Sequence, residues 1–168
     1  MIVNTTRFGN LEISEEKVVT FPFGLPGFNG CVKWCLLHPE DNISVNWLQS
    51  VEDPAVALII ADPDVYFDNY DVRVDARELA PIGVEPGDVE GQPPPIALRV
   101  VLSVDPKNSE LTANLGAPIL INLQSRQAMQ MPLARGAYSM RQPLPKPPAQ
   151  KPSHPGDKEK PKERANGP

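Results

Sequence analysis

The sequence predicts a mostly β fold: a small antiparallel β-barrel-like domain with one or two short helices. Short runs of apolar and β-branched residues recur along the first 142 residues, separated by Gly, Pro, Asn and Asp. Many short strands at such spacing are typical of antiparallel sandwiches and barrels. Helical signal is thin. Asp75 and Glu78 have the spacing of a capping box, Pro81 is expected to end that turn, and residues 87–90 suggest a second turn.

The chain is expected to begin with a hairpin, whose strands at 2–8 and 11–13 are joined by Gly9 and Asn10. Further strand candidates share a short apolar or β-branched run bounded by turn residues: 18–21, 32–37, 45–49, 55–61, 70–74, 96–104, 119–123 and 128–133. The longest, 96–104, is almost wholly apolar, which predicts a central strand covered on both faces. Small residues and a proline over 112–118 predict a tight crossover.

The most unusual segment is FPFGLPGF, residues 21–28. Its prolines fix φ and its glycines permit positive φ, so the backbone continues neither a helix nor a central strand. Three phenylalanines and a leucine give it more apolar surface than a solvated loop needs. Two interpretations remain open. It is a plug that closes one end of the core, or a stiff docking loop that loses little entropy on binding; both hold if one ring is presented and others are buried.

The formal net charge of −5 is divided unevenly along the chain. Residues 1–142 hold 18 acidic and 10 basic residues, giving −8, and residues 143–168 hold three acidic and six basic, giving +3. An acidic domain argues against direct nucleic-acid binding, which needs Lys and Arg to neutralise phosphates, and suits a basic protein partner. We therefore predict a β domain over 1–142 and a disordered Pro/Lys-rich tail, partly polyproline II, over 143–168.

No catalytic motif stands out, so we expect no enzyme activity and no cofactor. Cys31, Cys35 and His38 have only loose metal-ligand spacing, and buried thiols are the favoured interpretation. The aspartates that begin at Asp62 do not form a calcium loop, because Phe67 falls where a glycine is required. The N-terminus shows no signal-peptide pattern, and the longest apolar run is far below membrane-spanning length. A cytoplasmic protein without membrane association is expected.

Six segments, in this order, carry a family resemblance: Arg7-Phe8-Gly9, FPFGLPGF, WLQSVEDP (47–54), Asp62-Pro63, TANLGAPILIN (112–122) and Tyr138-Ser139. Together they resemble the FliW family of bacterial flagellar assembly factors over the whole predicted domain. The resemblance implies a small, mostly antiparallel β-barrel-like protein. It also implies binding to cytoplasmic flagellin and to CsrA, a small dimeric RNA-binding translational repressor. When flagellin is exported, the freed protein captures CsrA and relieves repression of flagellin translation.

Partner-contact residues are chosen on physical grounds, because interfaces favour large aromatic anchors near rigid loops. Trp47 is otherwise expected in the core, and Asn114 in a turn. The predicted partner-binding residues are Phe23, Leu25, Phe28, Trp47, Tyr66, Tyr70 and Asn114. The alternative function is a small-molecule-binding β-barrel, and a thiol or metal centre at Cys31, Cys35 and His38 is a more remote one.

Overall fold

The structure, a computed structural model, describes residues 1–42, 44–85, 87 and 94–145. These residues form a mostly β fold with antiparallel strand pairing, which confirms the predicted fold class. Short 3₁₀ helices at Glu15–Lys17, Pro63–Val65 and Ala76–Ile82 connect strands in the described part of the chain. The strands are β1 Ile2–Thr5, β2 Gly9–Glu12, β3 Val18–Thr20, β4 Lys33–Leu37, β5 Val45–Ser50, β6 Ala57–Ala61, β7 Ile96–Val104, β8 Leu111–Ala113, β9 Ile119–Asn122, β10 Ala128–Gln130 and β11 Gln142–Pro143.

One curled sheet carries most of the domain. Its strands follow the order β10-β9-β7-β6-β5-β4-β3, with β8 on β7 and β11 on β8, while β1 and β2 form a separate hairpin. The segment just before β10 contacts β3, at the other end of the strand order. The Thr20 N–H donates to the Arg126 carbonyl at 2.9 Å, and Thr20 forms a parallel β-bridge with Gln127. The arrangement is therefore barrel-like, with its apolar residues turned inward.

Strand β7 is central in the sheet, as its apolar sequence predicts, but it is not covered along its whole length, since Ser103 and Val104 are exposed. Its first half, from Ile96 to Arg99, pairs with β9, and its last three residues pair with β8. On the opposite edge it pairs with β6, where Ile59 lies beside Leu102. One long strand thus joins three others and fixes the curl of the sheet.

The core is filled by large side chains. Trp34 is fully buried, contacts the ring of Phe21 edge-on at a centroid distance of 6.2 Å, and donates its indole N–H to the Cys31 carbonyl at 3.3 Å. Cys31 and Cys35 are buried free thiols, as predicted. Fully buried residues that share this interior include Val19, Leu48, Ile60, Ile119 and Ile121.

Two local predictions are wrong in detail. The first hairpin turns at 6–8 rather than at Gly9 and Asn10, because the Thr5 hydroxyl accepts from the Phe8 N–H at 2.8 Å and donates to the Gly9 carbonyl at 2.9 Å. The capping box at Asp75 is present, but its helix continues through Pro81 to Ile82. Gly83, with φ of 80°, ends it instead.

Three further predictions differ from the structure. Residues 70–74 form no strand, since the Tyr70 side chain is held by a distant segment. The first two residues of the predicted crossover, Thr112 and Ala113, belong to strand β8, Leu111–Ala113. The sheet also continues past the predicted boundary at residue 142: Pro143 pairs with Thr112, and the Leu144 N–H donates to the Leu111 carbonyl at 3.1 Å.

Residues 88–90 of the turn predicted over 87–90, and residues 146–168 of the tail predicted over 143–168, lie outside the described residues. Among the residues that are described, no helix is both long and apolar enough to traverse a bilayer.

Candidate partner-binding surfaces

The first candidate surface is the segment 21–32, here called the proline-braced loop. It contains no charged residue. Successive backbone hydrogen bonds stiffen it. The Gly24 N–H donates to the Phe21 carbonyl at 2.9 Å, the Phe28 N–H to the Leu25 carbonyl at 3.0 Å, and the Cys31 N–H to the Phe28 carbonyl at 3.2 Å. Gly24 and Gly27 have φ of 69° and 88°, values that side-chain-bearing residues rarely adopt. The loop is therefore held largely by its own local interactions.

The four large apolar residues of the proline-braced loop face different ways. Phe21 and Leu25 are buried, and Phe28 is half-buried with its ring edge-on to Trp34 at 5.9 Å. Phe23 is 82% exposed. The burial of Phe21 and Leu25 fits the plug interpretation, and docking through the exposed Phe23 stays a prediction. Of the predicted contact residues, Leu25 is a support, because its burial leaves it almost no surface to offer. Beside Phe23 lies a groove of about 370 Å³ that reaches Met129 in β10.

The second candidate surface is residues 62–71 with Leu115 and Tyr138, here called the aromatic–acidic face. Residues 62–71 contain four aspartates and no Lys or Arg. Asp62 is partly covered, and its carboxylate accepts from the Asp64 N–H at 3.0 Å and lies 3.7 Å from the Arg99 guanidinium. The other three aspartates are exposed: Asp64, Asp68 and Asp71.

Long-range hydrogen bonds hold the rings of the aromatic–acidic face. The Tyr70 hydroxyl donates to the Leu115 carbonyl at 2.7 Å, and the Tyr138 hydroxyl donates to the Asp71 carbonyl at 3.1 Å. The two tyrosine rings stack edge-on with a centroid distance of 4.7 Å. Burial, with a smaller contribution from Tyr138, raises the pKa of Tyr70 to about 12. Its phenol therefore stays a hydrogen-bond donor throughout the neutral range.

Asn114 shapes the turn that adjoins this face. Its side-chain oxygen accepts from the Ala117 N–H at 3.1 Å, so it is the turn-former that the sequence predicts. That turn presents the Leu115 carbonyl to Tyr70. Tyr66, half-buried, packs in the same apolar cluster as Tyr70. The structure thus brings together three of the predicted contact residues, Tyr66, Tyr70 and Asn114, and adds Tyr138, which sequence reasoning noted as a family motif but did not choose.

Trp47 lies apart from both surfaces and is not a core residue. It is half-buried, with the Arg7 guanidinium 4.7 Å from its ring centroid and the Phe8 ring edge-on at 5.5 Å. The fully buried tryptophan is Trp34. A groove of about 300 Å³ opens beside Trp47 and is also lined by Leu11 and His38, among others. Arg7 and Phe8 were not chosen from the sequence, although both belong to the Arg7-Phe8-Gly9 motif.

The proline-braced loop and the aromatic–acidic face lie at opposite ends of the strands. β4 begins directly after the loop, β5 returns antiparallel to it, and β6 runs antiparallel to β5 and ends at Ala61, where the face begins. The predicted contact residues therefore do not form one site. They divide into a loop group, a face group and Trp47.

The Cys31, Cys35 and His38 group does not have the geometry of a reactive centre. His38 Nδ1 is hydrogen-bonded to the side-chain oxygen of Asn46. Burial raises the pKa of Cys35, which disfavours a thiolate. Within the described part of the chain, no three His, Cys, Asp or Glu side chains are grouped as metal ligands.

Comparison with known proteins gives the family. The family model described as FliW protein matches residues 2–144. The chain belongs to the FliW family. It is 33% identical over 141 residues to the flagellar assembly factor FliW of Thermotoga sp. (strain RQ2), covering 83% of this chain and 91% of that protein.

Other relatives agree in length and fold. The chain is 33% identical over 147 residues to the flagellar assembly factor FliW of Lachnospira eligens, covering 86% of this chain and 94% of that protein. It also resembles a crystal structure of the flagellar assembly factor FliW, with a TM-score of 0.74 and 32% identity over 85% of this chain and 96% of that one. The match therefore extends over nearly the full domain.

Proposed function

We propose that this FliW-family protein is a cytoplasmic, non-catalytic flagellar assembly factor that binds flagellin and CsrA in turn. While flagellin is abundant, it occupies the protein. When flagellin is exported, the protein captures CsrA and relieves repression of flagellin translation. The family assignment supports the flagellar role, and the resemblance from sequence supplies the two partners.

The observation that carries the proposal is the preorganised aromatic–acidic face. Its rings are fixed by hydrogen bonds to Leu115 and Asp71 before any partner arrives, so binding costs little ordering entropy. Asp64 and Asp68 project from it into solvent. An RNA-binding protein such as CsrA carries basic surface, and opposite charge accelerates encounter and selects partners. We assign CsrA to this face.

The proposal is tested by calorimetry of the purified protein against CsrA and flagellin of the same organism. The diagnostic variant is Asp64→Asn with Asp68→Asn, which removes two exposed charges from the face. The matched control is Glu12→Gln with Glu15→Gln, which removes two exposed charges from the N-terminal region. We expect CsrA affinity to fall about tenfold, or ~1.4 kcal/mol, in the first variant only. Equal losses in both variants would contradict the assignment to the face, and absence of binding to either partner at tens of micromolar would reject the function.

The switch itself requires a hierarchy of partners. A preformed complex with CsrA is titrated with flagellin, and release of CsrA is followed. A preference of ~1.4 kcal/mol corresponds to tenfold occupancy at equal free concentrations. A stable ternary complex would overturn alternate binding while leaving the individual interactions intact.

The alternative of a small-molecule-binding barrel is not favoured. The interior that a ligand would occupy is filled by fully buried side chains of Phe21, Trp34, Leu48 and Ile60. The grooves that remain are open at the surface, which suits a protein partner better than an enclosed ligand.

A further inference from the structure

A second groove adjoins the aromatic–acidic face where the described chain ends. It has a volume of about 450 Å³, and its apolar lining includes Val45, Tyr66, Leu102 and Leu111. Tyr66 also belongs to the aromatic–acidic face, so the groove and the face are continuous. The chain itself forms part of the wall, since Pro143, Leu144 and Pro145 line the same groove.

The last described residues are anchored in this groove. Leu144 packs in the apolar cluster that contains Tyr66 and Tyr70, and its N–H donates to the Leu111 carbonyl at 3.1 Å. Pro145, the residue that precedes the Pro/Lys-rich segment in sequence, therefore lies in the groove. Residues 146–152, KPPAQKP, contain three prolines and two lysines.

We propose that the Pro/Lys-rich segment after Pro145 is an intramolecular ligand of this groove and of the adjoining aromatic–acidic face. Proline-rich segments dock into aromatic-lined grooves as polyproline II helices, whose rigidity lowers the entropic cost of binding. In the proposed complex, the prolines of this segment contact the tyrosine-lined surface and its lysines pair with the exposed aspartates. The segment thereby covers the surface that a basic partner would use.

Tether length and charge both favour this occupant. Six residues of polyproline II separate Pro145 from Lys151 and reach roughly 19 Å. Asp64 and Asp68 are only two residues from Tyr66, which lines the groove together with Pro145. A short tether gives an effective concentration in the millimolar range, so even weak contacts are occupied. Residues 143–168 carry a net charge of +3, whereas residues 62–71 carry four aspartates and no Lys or Arg.

The proposal is tested on the full chain by paramagnetic relaxation enhancement in solution NMR. A nitroxide is attached through Ser153→Cys, since Cys31 and Cys35 are buried and leave the new thiol selectively reactive. We expect broadening of amides in 64–71 and in the groove at low salt, with little broadening in the loop 21–32. The broadening should weaken at high ionic strength, where exposed charges are screened.

Two variants decide whether the contact has the stated chemistry. Lys146→Gln with Lys151→Gln removes tail charge, and Asp64→Asn with Asp68→Asn removes face charge; either should reduce the broadening at least twofold. Glu12→Gln with Glu15→Gln is the matched control and should leave it unchanged. Absent or uniform broadening, or broadening insensitive to both charge variants, would overturn the proposal. A mixed sample, in which one copy carries the nitroxide and another carries the isotope label, tests for contact between molecules. Broadening in that sample would also overturn the proposal, because a second copy would then be the occupant.

This inference does not need a partner, but one consequence rests on the proposed function. If the segment competes with CsrA for the face, Lys146→Gln with Lys151→Gln should bind CsrA two- to tenfold more tightly than the wild type. Unchanged CsrA affinity together with clear relaxation enhancement would reject competition at the proposed CsrA surface. Loss of the enhancement with intact CsrA binding would reject the intramolecular ligand and leave the proposed function standing.

Discussion

The proline-braced loop and the aromatic–acidic face are both irregular connections rich in aromatic rings, yet they gain their rigidity in different ways. The loop has no charge and is stiffened by hydrogen bonds between residues three apart, by two prolines and by glycines of positive φ. The face is highly acidic and is held by side-chain bonds that span 45 and 67 residues of sequence, from Tyr70 and Tyr138. The backbone of the loop is held by bonds between sequence neighbours, whereas the order of the face depends on distant segments.

The difference predicts separate behaviour on binding. The loop buries Phe21 and Leu25 and presents the Phe23 ring, so its main contribution to an interface is one exposed ring on a fixed support. The face presents aspartates around half-buried rings, so charge governs encounter there. The following predictions are ordered from the largest expected effect to the smallest.

The largest effect is expected within the proline-braced loop, at Phe21. This ring is fully buried against Trp34, so Phe21→Ala should lower the free energy of unfolding by about 3–5 kcal/mol. Phe23→Ala, two residues away, is the control and should change it by less than about 0.5 kcal/mol, because that ring is exposed. Urea denaturation followed by tryptophan fluorescence measures both. Equal destabilisation by the two variants would show that the loop is not divided into a buried and a presented half.

Backbone strain is expected to be the next effect. Gly24 has φ of 69° and open space where a side chain would stand, so Gly24→Ala should cost roughly 1–2 kcal/mol through left-handed backbone strain alone. Gly24→Asn should cost less, because asparagine adopts this conformation more readily. Thermal unfolding of both variants gives the comparison. If alanine is tolerated as well as asparagine, local backbone geometry does not stiffen the loop.

These two effects follow from features that the sequence makes visible. Prolines and glycines close together predict an irregular, stiff segment without knowledge of the rest of the fold, as they do for the proline-braced loop. Strand β7 and the capping box at Asp75 were likewise predicted from local pattern. The burial of Phe21 and the exposure of Phe23 could not be predicted in this way, because burial depends on which strand packs against each ring.

The aromatic–acidic face was predictable only in part. Tyr66, Tyr70 and the aspartates are neighbours in sequence, but Tyr138 lies 67 residues from the Asp71 that it binds. The same long-range contacts explain why 70–74 is not a strand. Gly116 permits the close approach, since a Cβ there would lie 3.2 Å from the Tyr138 carbonyl and 3.1 Å from Met140 Cγ. A single sequence carries no signal for such a contact.

The face should respond to loss of the Tyr70 hydroxyl. Tyr70→Phe removes the donor to the Leu115 carbonyl and should lower the free energy of unfolding by about 1 kcal/mol at neutral pH. The pKa of Tyr70 is raised from 10.0 to about 12, so the folded state favours the neutral phenol. That stabilisation is fully present below pH 10 and is lost as pH rises towards 12.

Unfolding of the wild type, of Tyr70→Phe and of Tyr138→Phe between pH 8 and 12 tests this dependence. The wild type should lose stability more steeply with rising pH than Tyr70→Phe does, while Tyr138→Phe should follow the wild type more closely. Parallel profiles for wild type and Tyr70→Phe would show that the raised pKa contributes nothing to the stability of the face.

The smallest effect on stability is expected for Asp64→Asn with Asp68→Asn, although its effect on binding should be clear. Both carboxylates are exposed and lie in a stretch of like charge, so their removal should change the free energy of unfolding by less than about 0.5 kcal/mol. The association rate with a basic partner should nevertheless fall, and its dependence on salt should weaken, because exposed charges steer encounter over roughly a Debye length. Phe23→Ala should instead leave the salt dependence unchanged. Stopped-flow association at several ionic strengths separates the two surfaces, and an unchanged salt slope in the aspartate variant would remove the reason for assigning a basic partner to the face.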